Sequence, residues 1–385
     1  MFTKVASASL LALSSLALVS AAPAPQRGGK YTWGGNDNGD STGHSSAPSS
    51  SGGADFPLSN GFPNIANPSP QLTAIEIAAQ GTLPNGPPPA TVTADTLTSL
   101  ELIAFNELFE VAFFTDLIFN ITHNVPGYNI DGKGVQQFVV NALTAVQAQE
   151  ELHALNANGA LAHFGAAPVQ PCQYKFPVTT FADAIGLAST FTDVVLGTLQ
   201  DVQSKLATDG DAGLIRGIGS VIGQEGEQNG YYRTLLDKIP SALPFLTTST
   251  REFAFSALNQ NFVVPGSCPN VGEIALPIFA PLTVVTSDIE AKTQNLQFSF
   301  SSTNTTTYSG LSLVYINQQN LPVVEPLLSP TQSGSSISFS AAFPYDQFEM
   351  NGLTIAAVVK GSGPFASADA VAAATIAGPG LIEIN

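Results

Sequence analysis

Three acidic residues and one histidine stand where the surrounding pattern calls for apolar side chains. Positions 139, 143, 146, 150, 153 and 157 read Val, Leu, Val, Glu, His and Ala. That spacing lines one face of a helix, so Glu150 and His153 point inward with the apolar residues. Glu150-Glu151-Leu152-His153 is also a Glu-x-x-His pair, which sets a carboxylate and an imidazole side by side on one helix face. Positions 100, 104, 107, 111, 114 and 118 form a second stripe, Leu, Ala, Glu, Val, Phe and Ile. A third runs through 214, 218, 221, 225, 228, 232 and 235 as Leu, Ile, Val, Glu, Gln, Tyr and Leu. Glu107, Glu150, His153 and Glu225 can therefore meet in one seam. There they would form either a cation site or a fully hydrogen-bonded polar network, because an unpaired charge is not tolerated in a core. A fourth stripe, 181, 185, 188, 192, 195 and 199, reads Phe, Ile, Ala, Thr, Val and Leu. It carries Thr192 where a fourth carboxylate would sit, and Asp193 is turned about 100° away.

The elements that must position these residues are long. Helical periodicity covers residues 97–122, 135–158, 181–207 and 211–236, with a shorter fifth helix at 250–261. Short connections join the first helix to the second and the third to the fourth, and about twenty residues separate the second from the third. Two antiparallel hairpins joined by one long crossover describe a ferritin-like four-helix bundle. Glu107 and Glu150 lie equally far from the first turn, which places them at one depth. After Cys268 the period falls from 3.6 to 2: segments 296–301, 311–316, 336–341 and 353–359 read as strands of a small β-sandwich. The fold class expected is α+β and multidomain. Residues 1–21 read as a signal peptide, 22–90 as a Gly/Ser/Pro-rich linker, 91–268 as the bundle and 269–385 as a β-rich domain.

Composition limits the function. The chain has 385 residues, a formal charge of −17, and only 11% charged residues. With 12 Lys and Arg against 29 Asp and Glu, it offers no basic face for nucleic acid. Lys4, the apolar run 5–19 and small residues up to Ala21 form a secretory leader, and no later segment is apolar enough to span a membrane. A secreted protein, extracellular or bound to a cell wall, is expected. In that compartment Cys172 and Cys268 should pair, and Asn120-Ile-Thr122 and Asn304-Thr-Thr306 are glycosylation sequons. Nucleophile elbows, phosphate loops, His-Glu-x-x-His and Cys-x-x-Cys are absent, so no catalytic residue is assigned.

The segments Asn106-Glu-Leu-Phe-Glu-Val-Ala-Phe-Phe114, Glu150-Glu-Leu-His153 and Glu225-Gly-Glu-Gln-Asn-Gly-Tyr-Tyr-Arg233 resemble the helix signatures of secreted ferritin-like-domain proteins. The similarity is to the fungal stress-response and late-sexual-development proteins and, more distantly, to plant desiccation-related proteins. It implies metal-ligand positions at Glu107, Glu150, His153 and Glu225. Gln228, Asp193 and Glu110, the last on a neighbouring flank of its helix, are weaker candidates. Two positions depart from a full dinuclear pattern: Gln228 replaces a histidine and Thr192 a glutamate. The resemblance therefore implies a degenerate site, holding no ion or one weakly bound iron or manganese ion, in a non-catalytic stress or developmental protein. Two alternatives stand beside it: an iron- or manganese-dependent oxidase or iron-binding protein, and a module that binds a wall polysaccharide or another protein.

Overall fold

The computed structural model describes residues 55–301 and 309–384. The leader, residues 22–54 of the expected linker, and Asn304 lie outside the described residues. Four long helices make the bundle: α2 (Ala94–Thr122), α3 (Lys133–His163), α4 (Phe181–Asp209) and α5 (Ile215–Leu235). A short helix, α1 (Pro70–Ala79), precedes them, and α6 (Arg251–Asn261) follows.

Local chemistry sets the helix ends. Thr93 and Thr180 turn their hydroxyls onto the backbone N–H groups of Thr96 and Asp183, capping α2 and α4. Gly210 closes α4 in the left-handed region at φ 85°. At the first turn, Gly127 has φ +93°, and a Cβ there would meet the Thr179 carbonyl oxygen at 2.3 Å. That close approach lets Phe181 N–H donate to the Gly127 carbonyl and ties the α2–α3 turn to the start of α4. The crossover between α3 and α4 is fastened at several points. Cys172 is joined to Cys268, Lys175 N–H donates to the Phe262 carbonyl, and Val264 N–H donates to that of Gln173. Tyr174 and Phe176 from this crossover enclose Phe109 together with Phe191 and Phe262.

Residues 55–90 overturn the linker expectation over their described part. Phe62 is fully buried, and Leu72, Ile75 and Ala79 of α1 pack on Ala148 and Leu152 of α3. The i, i+3, i+7 spacing of those three residues was present in the sequence but is only ten residues long. Its burial follows from the outer face of α3, whose alanines and leucines need a cover.

Among the described residues the C-terminal part has eight strands: β1 (Leu282–Val284), β2 (Gln294–Ser301), β3 (Leu311–Asn317), β4 (Val323–Pro326), β5 (Leu328–Ser333), β6 (Ser336–Phe343), β7 (Gly352–Lys360) and β8 (Thr375–Ile384). They form two antiparallel sheets, ordered β1-β2-β6-β5 and β4-β3-β7-β8. The short helices α7 (Tyr345–Phe348) and α8 (Ala368–Ala374) fill connections. Strand β2 alternates buried and open residues, as a strand with one wet face should. Strand β7 is buried on both faces. Ala356 and Val358 face the opposing sheet, whereas Leu353, Ile355, Ala357 and Val359 pack with Val194 of α4 and Phe253 and Ala254 of α6. The second sheet is thus the middle layer between the first sheet and the bundle. Gly197 of α4 lets the connection before α6 come close, since a Cβ there would stand 2.2 Å from the Thr247 carbonyl oxygen, and the Thr247 hydroxyl in turn donates to the Leu353 carbonyl of β7. Among the described residues α4 has the length and apolar composition to cross a membrane, but 89% of that apolar window is buried inside the protein.

Helix α5 carries Gly217, Gly219, Gly223, Gly226 and Gly230 in 21 residues. Each interior glycine costs a helix about 0.5–1 kcal/mol relative to alanine. A Cβ at Gly223 or Gly226 meets nothing within 4 Å. Gly223→Ala and Gly226→Ala should therefore each stabilise the protein by about 0.5–1 kcal/mol, read as a higher urea midpoint with an unchanged slope.

Candidate metal centre

The two hairpins bring three helices to one point. α2 contributes Glu107, α3 contributes Glu150 and His153, and α5 contributes Glu225. Nδ1 of His153 lies 2.9 Å from Glu150 Oε2, 3.5 Å from Glu107 Oε2 and 4.0 Å from Glu225 Oε1. One donor atom from each of the four residues falls within 4.8 Å of all the others. The three carboxylates are essentially inaccessible, while the His153 side chain is 17% exposed. His153 is thus the point at which the site meets solvent. Beside it Gln149 and Gln224 link α3 to α5, with Gln224 Nε2 donating to Gln149 Oε1 at 3.0 Å.

Burial dominates the electrostatics. It pushes the Glu107 carboxyl up to about 7 against the pull of His153. Burial, then Glu107 and Glu150, hold Glu225 well above the usual carboxylate range. For His153 burial acts downward, but Glu150 and Glu107 outweigh it and keep the imidazole protonated well above its ordinary value. The imidazolium therefore serves as the local cation, donating from Nδ1 to Glu150 Oε2.

It does not satisfy the site. Glu107 Oε2 and both carboxylate oxygens of Glu225 are buried without a hydrogen-bond partner. An orphaned buried carboxylate oxygen costs more than any ordinary core residue, unless a proton or a cation pairs with it. Three carboxylates and an imidazole nitrogen converging on one point are hard oxygen and borderline nitrogen donors, a set suited to iron or manganese. The residues present fit such an ion. Residues 96–238 match the family model of a ferritin-like domain. No curated protein gives a significant match to the chain.

The weaker candidates within the ferritin-like domain separate. Gln228 adjoins the centre as a donor: its Nε2 lies 2.6 Å from Glu150 Oε1 and 3.2 Å from Gln149 Oε1. Tyr232 in turn donates to Gln228 Oε1 at 3.4 Å. Glu110 is 1% exposed, and the charges of Glu150, Glu225 and Glu107 all act on it. The stripe pattern set Glu110 on a flank; α2 is buried all round because α3, α4, α6 and the N-terminal segment surround it. Asp193 belongs elsewhere. It accepts 2.9 Å from Asn229 Nδ2 and interacts with Arg233, Lys238 and Glu383, a buried charge group that joins α4 and α5 to strand β8. Thr192 is buried with its hydroxyl unpartnered.

Asn120 corrects a sequence expectation. It is 2% exposed near the end of α2, with Nδ2 donated to Asp116, so the folded chain offers no access for a glycan there. His123 caps α2 and stacks on Phe119, and His163 bonds the Pro89 carbonyl. Sequence reading missed Gln149, Gln224 and Asn106. Each flanks a ligand stripe, and nothing in its own type announces a role.

A carboxyl whose folded value is raised contributes stability at low pH that is lost as the pH rises through that value. An amide at the same place does not titrate and can donate to the orphaned Glu107 oxygen. In chelator-treated protein, Glu225→Gln should melt higher than wild type, by about 1–3 kcal/mol, with a margin that widens as the pH is raised over the protein's range of folding. Thermal denaturation across that range checks it; a variant less stable at every pH contradicts the unpaired-carboxylate account.

Proposed function

We propose that this chain is a secreted protein whose ferritin-like bundle binds a divalent transition-metal ion, iron or manganese, through Glu107, Glu150, His153 and Glu225. The observation that carries the reading is the set of buried, unpartnered carboxylate oxygens beside one imidazole nitrogen. Glu150 and His153 are spaced one helical turn apart on α3, so the backbone holds them in register before any ion arrives. Gln228 fixes the second oxygen of Glu150 and leaves Oε2 directed toward His153. His153 moves a proton: Nδ1 must release it to solvent when a cation replaces it among the carboxylates. When bound, such an ion supplies a Lewis-acidic centre able to change oxidation state.

The extracellular placement rests on the leader-like residues 1–21, and an extracellular or cell-wall stress or developmental role rests on the resemblance of the helix signatures. Gln228 and Thr192 in place of stronger ligands favour a binding rather than a catalytic role.

Two measurements test the reading. Full-length protein stripped with chelator and titrated anaerobically with Mn²⁺ or Fe²⁺ should bind at least one ion. Free ion at a hundred times Kd should then add about 2.7 kcal/mol of stability. Absence of both binding and a melting shift would overturn the metal reading. When the chain is expressed in a secreting eukaryotic host, the medium should contain protein whose N-terminus is Ala22, as N-terminal sequencing would show. Retention in the cell with Met1 intact would overturn the secreted reading.

A further inference from the structure

A cleft on the outer face of the bundle lies apart from the carboxylate seam. Its volume is about 620 Å³, within the range of small-molecule sites, and its walls are segment 55–78, the last turns of α2 and the middle of α3. Glu151 follows Glu150 on α3 but is turned about 100° from it, and it lines this cleft. Leu58, Ile75, Ile118, Phe119 and Ala148 make the apolar part of the wall. The acidic groups are Glu151, which is 2% exposed, and the open Asp55. Among the described residues no lysine or arginine lines it.

The donors on this wall are turned toward the protein. Asn60 Nδ2 donates to both Glu151 oxygens, at 3.0 and 2.9 Å, and Gln147 Nε2 donates to Thr115 Oγ1 at 2.8 Å. The hydroxyls of Thr115, Thr122 and Thr144 donate to the carbonyls of Val111, Ile118 and Val140, one turn back. A hydroxyl has a single proton, so these three have only lone pairs left for a ligand. His123 follows the same pattern. Its Nδ1 lies 2.9 Å from the Phe119 carbonyl, which holds the proton there and leaves Nε2 of the neutral ring as an acceptor.

We propose that this cleft binds an organic cation, a primary ammonium carried on an aliphatic chain. An ammonium brings three donors to a wall that supplies acceptors. Its charge answers the two carboxylates, and a carboxylate as buried as Glu151 is disfavoured until a cation meets it. The chain covers the apolar wall. A sugar brings hydroxyl donors as well, but it leaves both carboxylates without a counter-charge. An anionic ligand would meet like charge. The formal charge of −17 on the whole chain draws cations toward the surface and repels anions. The inference is independent of the metal reading, because Glu151 and Asp55 belong to a different face of the bundle.

The experiment is a calorimetric titration of full-length protein with hexylamine, hexanol, hexanoate and cellobiose, with and without Mn²⁺. Hexylamine should bind once per chain, about tenfold or more tighter than the other three, and Mn²⁺ should leave its affinity unchanged. Glu151→Gln should weaken hexylamine by about tenfold or more. Thr144→Phe, at an exposed position on the wall, should block the cleft, and Asp55→Asn should weaken binding a few-fold. Those two positions are open, so both variants test the site even if the buried Glu151→Gln fails to fold. No hexylamine binding, or equal or tighter binding of any of the other three probes, overturns the inference. So does wild-type hexylamine affinity in Thr144→Phe. Competition between hexylamine and Mn²⁺ would put the amine in the carboxylate seam and overturn the assignment to this cleft.

Discussion

Enclosing several carboxylates in a dry helical seam is the constraint on which the rest of this molecule depends. An ionised carboxylate taken out of water is strongly disfavoured unless something positive meets it. Within the protein the available partners are one imidazolium and a few amides: His153 serves Glu150 and Glu107, Gln228 serves Glu150, and Asn106 serves Glu110. That leaves oxygens of Glu110 and Glu225 unpartnered, and Glu107 Oε2 with the 3.5 Å ion pair to His153 but no hydrogen bond. The fold tolerates the deficit because the surrounding core is large and rich in aromatic rings.

That core has an unusual division of labour. Phe105, Phe109, Phe113 and Phe114 ring α2 with buried rings that meet Phe176, Phe191, Phe255 and Phe262. The rigid aromatic side of the bundle is thus built from α2, α4, α6 and the crossover. The α3–α5 side is built from glutamines, the slightly exposed His153 and a glycine-rich helix. Ordered packing on one side and a polar, weakly helical wall on the other place the solvent-facing edge of the centre at α3 and α5. Any ion passing between water and the carboxylates would meet His153 and Gln149 first.

The β-domain takes part in this arrangement. Its middle sheet packs on α4 and α6, which is why α4 is buried almost all round even though only one of its stripes faces the bundle seam. At the same interface Asp193, Arg233, Lys238 and Glu383 form a second buried charge group, in which acidic and basic residues offset one another. The two clusters follow opposite rules. The interdomain group holds both signs, whereas the seam group holds a surplus of one sign and therefore calls for an external cation.

Sequence by itself determined the parts that depend on periodicity. The four long helices, their pairing into hairpins, the change to strands, and the convergence of Glu107, Glu150, His153 and Glu225 all follow from spacing along single elements. Each is a local property read once per turn. Tertiary structure decided what depends on neighbours from elsewhere in the chain. It placed α1 on α3, because an otherwise bare face needed covering. It buried Asn120 against Asp116 and sent Asp193 to the β8 interface. It also buried Glu110, because α2 is enclosed on every side rather than along one stripe. A stripe reports which way a residue points on its own helix. It carries no information on how many other elements close over the remaining faces, and that enclosure sets which carboxylates lose their water.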